Sequence, residues 1–150
     1  MNAWDETFPV LNKHIGEWEG EYVHLDADGN EIDRHKSHLK MWAPTDGSAD
    51  IAQINTYTWA DGRQEAFEFP GRLEGEKVFF DDARIAGYMY QTDPQTIFLT
   101  WSYKELLKEG NYLYEFIQLN KEGTEKTRTW HWMEDDRLIK RTVIREKKIA

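Results

Sequence analysis

The segment IGEWEGEY, residues 15–22, decides the fold predicted for this chain. It starts a first β-strand with Gly16-x-Trp18, directly after a short amphipathic stretch. Near the other end, residues 137–147 offer a last strand that carries Arg141 and Arg145. A barrel that closes on itself brings its first and last strands side by side, so an arginine of the closing strand can cover a large aromatic at the floor. A barrel that is sealed at one end and open at the other is a container.

The residues before this segment predict a helix. Apolar side chains recur there at helical spacing, with acidic residues in the first turn, which suits the positive end of a helix. Proline is tolerated only in the first turn. We therefore expect a helix of about two to three turns, placed against the barrel as a lid or plug; its apolar positions are Trp4, Phe8, Leu11 and Ile15.

After the helix, short alternating segments are separated by turn residues, among them Asp28-Gly29, Asp61-Gly62, Gly71 and Gly75. Only residues 104–109 leave room for a second helix. Ten consecutive antiparallel strands would leave exposed edges in an open sheet, and closing the sheet removes them. We predict an all-β fold, a single up-and-down antiparallel β-barrel that spans residues 1–150 as one domain. The strands are expected at about 17–25, 33–43, 50–59, 63–69, 73–81, 84–91, 96–104, 111–120, 125–134 and 137–147.

Composition excludes several functions. The net charge of −9 and the pI near 5.0 argue against nucleic acid and anionic membranes as partners. The chain has no cysteine, which removes disulfides, thiolate chemistry and cysteine-bound zinc. No apolar run approaches the roughly 20 residues that span a bilayer, and no signal peptide is evident. We expect a cytoplasmic protein without membrane insertion, and the sequence leaves the oligomeric state open, with a homodimer as one option.

Gly16-x-Trp18 after a helix, the meander of strands, and Arg141 or Arg145 in the last strand together resemble the calycin superfamily of lipocalins and fatty-acid-binding proteins. Residues 11–22 look most similar to uncharacterised bacterial lipocalin-like domains and to the nitrobindins. The nitrobindin resemblance implies haem held by a histidine of the final strand, but residues 137–150 contain no histidine. We therefore expect no cofactor. The wider resemblance implies an internal cavity for a small hydrophobic or amphipathic molecule.

Strand alternation indicates which side chains face that cavity. Even positions of the first strand and odd positions of the second and seventh are expected to point inward, while both faces of the last strands are bulky. Trp18 is expected mainly as floor, and Arg141 as a closure arginine, a carboxylate anchor or a surface charge. The predicted ligand-binding residues are Trp18, Tyr22, Ser37, Gln53, Asn55, Tyr57, Trp101, Tyr103, Glu115, His131 and Arg141.

Two interpretations of the polar residues stay open. Glu115 and His131 either belong to an internal hydrogen-bond network or orient a ligand head group. As an alternative function, the barrel could be a cofactor-free isomerase, cyclase or hydratase for a hydrophobic metabolite, with Glu115 and His131 as acid and base and Tyr57 as donor. A cone-shaped α+β fold of the polyketide-cyclase type would need two or three long helices. We expect no metal site, because His35 and His38 would face opposite sides of a strand.

Overall fold

The computed structural model describes residues 2–104 and 111–150, and it confirms the predicted all-β barrel. Every strand pairs antiparallel with its neighbours in the chain, and the first strand also pairs with the last. One short helix, α1, spans Leu11–His14. The strands are β1 Gly16–Asp26, β2 Glu31–Trp42, β3 Ile51–Thr58, β4 Gln64–Glu74, β5 Lys77–Asp81, β6 Ile85–Asp93, β7 Thr96–Tyr103, β8 Tyr112–Leu119, β9 Glu125–Glu134 and β10 Arg137–Lys148.

Closure of the barrel depends on a long β1–β10 ladder. The register runs from Trp18 opposite Lys148 to Asp26 opposite Lys140. Gly20 permits the close approach of the two strands, because a Cβ atom there would lie 2.0 Å from the carbonyl oxygen of Arg145. The ladder satisfies backbone groups that would otherwise form open sheet edges.

The turn predicted at Gly71 is wrong. Gly71 lies inside β4 and pairs with Ile51 of β3. An added Cβ atom would meet a methyl group of Val78 at 2.6 Å, so glycine is needed here for close packing inside the barrel. The window predicted to have room for a second helix, residues 104–109, lies almost wholly outside the described residues.

The N-terminal segment closes one end of the barrel, as predicted, but it is not a helix of two to three turns. Only α1 is helical, and the amides of Leu11 and Lys13 bond to carbonyl oxygens three residues earlier, as in a tight turn. The apolar spacing still places Trp4, Phe8 and Leu11 in the core, where each is at most 2% exposed. Among the described residues, no helix has the length and apolar character that crossing a membrane requires.

The two ends of the barrel therefore differ. The plugged end, which we call the floor, holds the N-terminal segment and α1. The opposite end, which we call the mouth, is where β1 ends and β2 begins, and likewise β3 and β4, and β9 and β10. The functional question is how far the space below the mouth extends toward the floor.

Candidate functional site

Trp18 forms the centre of the floor, as predicted. It is fully buried, and its indole nitrogen donates a hydrogen bond to the carbonyl oxygen of His14 at 2.9 Å. The predicted arginine cover is wrong: the cations above the ring are the ammonium groups of Lys126 at 4.1 Å and Lys148 at 5.6 Å from its centroid. Arg145 is exposed. The closing strand thus contributes a lysine where an arginine was expected.

A buried ion-pair layer lies above the floor. The Arg128 guanidinium donates to Glu115 Oε2 at 2.6 Å, to Glu146 Oε1 at 3.1 Å and to the Tyr22 hydroxyl at 3.0 Å. The arginine is 2% exposed and Glu115 is fully buried. Burial opposes the charged guanidinium, yet Glu115, Tyr22 and Glu146 hold the pKa of Arg128 well above its usual range. Such a layer is rigid, because removing one partner leaves an uncompensated buried charge.

Lys126 is a second buried cation in this region. Its ammonium group lies 3.3 Å from His14 Nδ1. Burial lowers the pKa of Lys126 to about 7, although the charge of Glu146 opposes the shift. Burial also holds the pKa of His14 well below its usual value, with the charge of Lys126 adding to the effect. The imidazole is therefore neutral, and its Nδ1 can accept a hydrogen bond from the lysine side chain.

The lower half of the barrel has no room for a ligand. Its gap measures about 20 Å³ and is bordered by Glu115, Arg128 and Lys126 together with apolar side chains. This volume holds about one water molecule. The predicted internal site is thereby restricted to the part of the barrel above the ion pairs.

Above the ion pairs, a cavity of about 360 Å³ opens at the mouth of the barrel. We call it the mouth cavity. Its walls are mainly aromatic side chains contributed by five of the ten strands or their ends, and polar groups occupy a minority of positions. The aromatic lining consists of Tyr22, Tyr57, Trp59, Phe67, Phe69, Trp101, Tyr103, Trp130 and Trp132, and the polar lining of His24, His35, Glu65, Arg84 and Lys140.

The aromatic walls are held by mutual ring packing. Tyr103 and Trp132 stack with centroids 5.5 Å apart and planes 13° from parallel. Phe69 and Trp101 stack at 5.3 Å and 7°. Trp130 meets Trp132 at 5.5 Å in an edge arrangement. These contacts fix the shape of the wall before any ligand binds, which lowers the ordering cost of binding.

One wall of the mouth cavity is polar. His24 Nε2 lies 3.0 Å from His35 Nε2, and His24 Nδ1 lies 2.8 Å from the Thr142 hydroxyl. Tyr22 stacks on the His35 ring at 4.8 Å. Burial lowers the pKa of His24 to about 4, helped by the charge of Lys140, and burial also lowers the pKa of His35. Both imidazoles are neutral at pH 7.

Two cations border the mouth cavity. The Lys140 ammonium lies 4.3 Å from the ring centroid of Trp132, and burial lowers the pKa of this lysine. The Arg84 guanidinium lies 5.0 Å from Phe69 and donates to the Glu68 carbonyl oxygen at 2.6 Å. Cations over aromatic faces give the cavity an electropositive side despite the acidic chain.

The structure brings together most of the predicted site residues. Tyr22, Tyr57, Trp101 and Tyr103 line the mouth cavity. Gln53 and Asn55 lie deeper on β3 in a chain of hydrogen bonds that reaches the Tyr57 hydroxyl, and Tyr57 in turn donates to Tyr22 at 3.4 Å. The predicted inward faces of the first, second and seventh strands agree with the burial patterns, and on the eighth strand, whose inward face the sequence left open, Glu115 lies inside. The predicted site residues that lie inside but away from the mouth cavity are Trp18, Ser37, Gln53, Asn55 and Glu115.

The structure corrects the placement of two predicted residues. On β9 the buried positions are Lys126, Arg128 and Trp130, so His131 lies on the outer face. Arg141 pairs opposite His131. It lies on the outer face of β10, because the buried residues of this strand, Thr142, Ile144 and Glu146, belong to the opposite face. Glu115 is held by Arg128 inside the barrel. The structure therefore does not bring Glu115 and His131 together as an acid–base pair.

The polar wall and the buried cations are not among the features predicted from the sequence. His24 was placed inward, but its partner His35 was considered only with His38. The overlooked pattern is that Asp33 and His35 share a face of β2, and that His24 pairs directly opposite Asp33. Trp130 and Trp132 share a face of β9 and line the mouth cavity, but they are not among the predicted site residues. Alternation shows that the two tryptophans share a face. The same face carries Lys126 and Arg128, and charged residues normally indicate a face that is exposed to solvent.

Taken together, the described residues define a small closed β-barrel with one plugged end and an aromatic-lined cavity at the other. The chain belongs to the family described as domain of unknown function (DUF3598), N-terminal, whose profile matches residues 4–149. No curated protein sequence gives a significant match.

Two solved structures share the fold. A DUF3598-family protein of unknown function from Nostoc punctiforme has a TM-score of 0.73 and 18% identity, over 93% of this chain and 49% of that one. The present chain thus spans about half the length of the Nostoc protein. The S-type phycobiliprotein lyase from Guillardia theta has a TM-score of 0.66 and 10% identity, over 95% of this chain and 92% of that one.

Proposed function

We propose that this chain binds one small amphipathic molecule in the mouth cavity, with a planar apolar body and an anionic end. The observation that carries the proposal is the cavity of about 360 Å³ between preformed aromatic walls and the buried ion-pair layer. Small-molecule sites typically measure about 300–1,000 Å³ and are apolar with a few polar groups. A calycin-like container is the class of barrel that we infer from this arrangement.

The aromatic walls favour a planar partner. Burying carbon surface against them contributes about 25 cal/mol per Å² before ordering costs. The Trp130 indole nitrogen is buried and has no hydrogen-bond partner among the described residues, so it is free to donate to a ligand acceptor. Such a donor is costly to bury unpaired, and a ligand heteroatom would satisfy it.

The cations favour a negative end. Lys140 and Arg84 lie on the cavity border above aromatic rings. Arg84 is already paired with Asp82 at 3.5 Å, so the Lys140 ammonium is the cation that would pair with a carboxylate or sulfonate, and a low-dielectric wall makes this pairing stronger than at an open surface. The fold shared with the phycobiliprotein lyase, a protein named for its action on phycobiliproteins, agrees with a barrel that handles a small molecule.

The experiment is a fluorescence titration with 1-anilinonaphthalene-8-sulfonate, a planar anionic probe. We expect one site per chain, with affinity about tenfold weaker in Trp132→Ala, equivalent to about 1.4 kcal/mol, and weaker in Lys140→Gln with a reduced salt dependence. Phe116→Ala is the matched control, because this aromatic is 46% exposed on the outer face. Equal affinity in the wild type and Trp132→Ala, or a loss only in Phe116→Ala, would place the probe outside the barrel and refute the proposal.

Native mass spectrometry of protein purified from its own host then addresses the natural ligand, since a small molecule held in the cavity should co-purify with the chain.

The cytoplasmic location and the homodimer stay predictions, and sedimentation velocity measures the oligomeric state. His131 lies outside the barrel and Glu115 is ion-paired with Arg128, so the acid–base pair named for the enzymatic alternative does not form.

A further inference from the structure

Three side chains that can ligate a metal lie together on β1 and β2, and two of them, His24 and His35, line the mouth cavity. His24 pairs opposite Asp33 in the antiparallel ladder, and Tyr22 pairs opposite His35. All three ligating side chains therefore lie at the mouth end of the same two strands. One ligand atom from each of His24, Asp33 and His35 lies within 4.8 Å of the other two. The register of the β1–β2 ladder shifts between His24 and Leu25, directly next to this cluster.

We propose that His24, His35 and Asp33 form a binding site for a divalent first-row transition-metal ion, with Zn²⁺ as the best-fitting ion. Two imidazole nitrogens and one carboxylate are a ligand set that zinc uses when it keeps a fourth position open. Zinc–nitrogen bonds of about 2.0–2.1 Å in a tetrahedral site set the two nitrogens roughly 3.3 Å apart. The observed Nε2 to Nε2 distance of 3.0 Å is close to this value, and an Asp33 carboxylate oxygen lies within 4.8 Å of a nitrogen of each ring.

The groups around the ligands orient them for this role. His24 Nδ1 faces the Thr142 hydroxyl at 2.8 Å, and His35 Nδ1 faces the Lys36 carbonyl oxygen at 3.4 Å. When Nδ1 of each ring carries the proton and donates to that oxygen, Nε2 is left with its lone pair for a metal. Ligating histidines in proteins commonly donate their other nitrogen in this way.

Asp33 is held in the same manner. Its carboxylate oxygens accept hydrogen bonds from the Trp59 indole nitrogen at 3.3 and 3.2 Å, and one of them also accepts from the Arg34 amide at 2.9 Å. A free oxygen lone pair remains for the ion. Asp33 is exposed whereas His35 is 5% exposed, so the ion would enter from solvent past the carboxylate.

The open coordination position would face the mouth cavity, which both histidines line. Water would occupy that position, and a donor atom of a molecule in the cavity could replace it. The metal site itself does not depend on the proposed ligand. A chain that binds Zn²⁺ but not the naphthalene probe would support this inference while contradicting the proposed function.

The first test is calorimetric titration of the full chain with Zn²⁺. We expect one ion per chain. Removing a group that only supports a ligand costs roughly 10–100-fold in metal affinity. Removing a ligand itself should cost more, so we expect His24→Ala and His35→Ala each to weaken Zn²⁺ binding by more than about 100-fold. Thr142→Val, which keeps the shape of the side chain, should lose about 10–100-fold.

The matched control is His38→Ala. His38 lies on the outer face of β2, 3.1 Å from a carboxylate oxygen of Glu17, and its removal should leave the affinity unchanged. An equal loss in His38→Ala, or no loss in His24→Ala and His35→Ala, would overturn the proposal.

A second measurement uses the wild type alone and so does not depend on whether a variant folds. Long-range proton–nitrogen correlation spectra resolve the five imidazoles of the chain. We expect stoichiometric Zn²⁺ to shift Nε2 of His24 and His35 and to leave His38 and His131 in place. Unchanged Nε2 resonances for His24 and His35 would equally overturn the proposal.

Discussion

Replacing Lys126 by methionine should remove a pH dependence of stability that this buried lysine imposes. The pKa of Lys126 falls from 10.5 to about 7 in the folded chain, chiefly through burial. Between these values the unfolded chain carries a proton that the folded chain lacks, so unfolding takes up a proton. Raising the pH across this window therefore stabilises the folded state. Below pH 7 the lysine is charged in both states. Its contribution to the free energy of unfolding is then constant, at its least favourable value.

The magnitude follows from the size of the shift. A difference of about 3.5 pKa units at about 1.4 kcal/mol per unit gives about 5 kcal/mol over the whole window. Tyrosines titrate near pH 10, so the measurement is best kept between pH 6 and pH 9.5. Over that range we expect the wild type to gain about 3 kcal/mol relative to Lys126→Met.

The assay is urea unfolding of both proteins at half-unit pH steps, with the difference in unfolding free energy plotted against pH. Other groups near the ammonium are His14, Glu115, Arg128, Glu146 and Lys148. They are present in both proteins, and burial, the main cause of the low pKa of His14, is kept in the variant although the contribution of the Lys126 charge is lost. The difference should be flat below pH 7 and should then rise in favour of the wild type. A difference that stays constant to pH 9.5 would show that Lys126 keeps an ordinary pKa, and would refute the reasoning.

Three further predictions concern stability, each measured by urea unfolding. Glu115→Gln should cost about 3–5 kcal/mol because it breaks a fully buried ion pair, whereas His131→Gln on the outer face should stay within about 0.5 kcal/mol; similar losses would contradict the assigned faces. Gly87→Ala should cost about 1–3 kcal/mol or more, since its Cβ would lie 2.1 Å from a carbonyl oxygen of β7. Gly75→Ala meets no atom within 4 Å and should cost only the roughly 1–2 kcal/mol of a left-handed residue, so a larger loss there would argue against the steric account. Phe8→Ala should cost about 3–5 kcal/mol as a core truncation in the plug, and a loss below 1 kcal/mol would mean that the N-terminal segment does not seal the floor.

The strand pattern could be predicted from the sequence because most strands have one apolar and one polar face, separated by glycine-containing turns. β1 is an example, with Trp18 and Tyr22 buried on one face and the exposed Glu19 on the other. The helix was overestimated because periodicity reports burial, and Trp4 and Phe8 are buried without being helical. Gly71 was predicted to lie in a turn because glycine is common in turns. The sequence does not show that the side chain of Val78 fills the space next to this glycine.

The site was predictable only in part, for an electrostatic reason. On β9 the inner face carries Lys126 and Arg128, charged residues that normally mark a solvent face. Their burial depends on Glu115 and Glu146, which come from the strands on either side of β9. Which residues of neighbouring strands face each other depends on the register of the folded sheet, which alternation within one strand does not show. For this reason His131 was predicted on the wrong face of β9.

The β1–β10 seam also governs when this protein can fold. Trp18 and its partner Lys148 stand 130 positions apart, a separation that makes such contacts slow to form. During synthesis, β1 must wait until β10 has left the ribosome. Until then its hydrogen-bonding groups are available to other chains, which is the condition under which nascent β proteins aggregate. Variants that weaken the seam should therefore reduce the soluble yield in cells more than their equilibrium stability suggests.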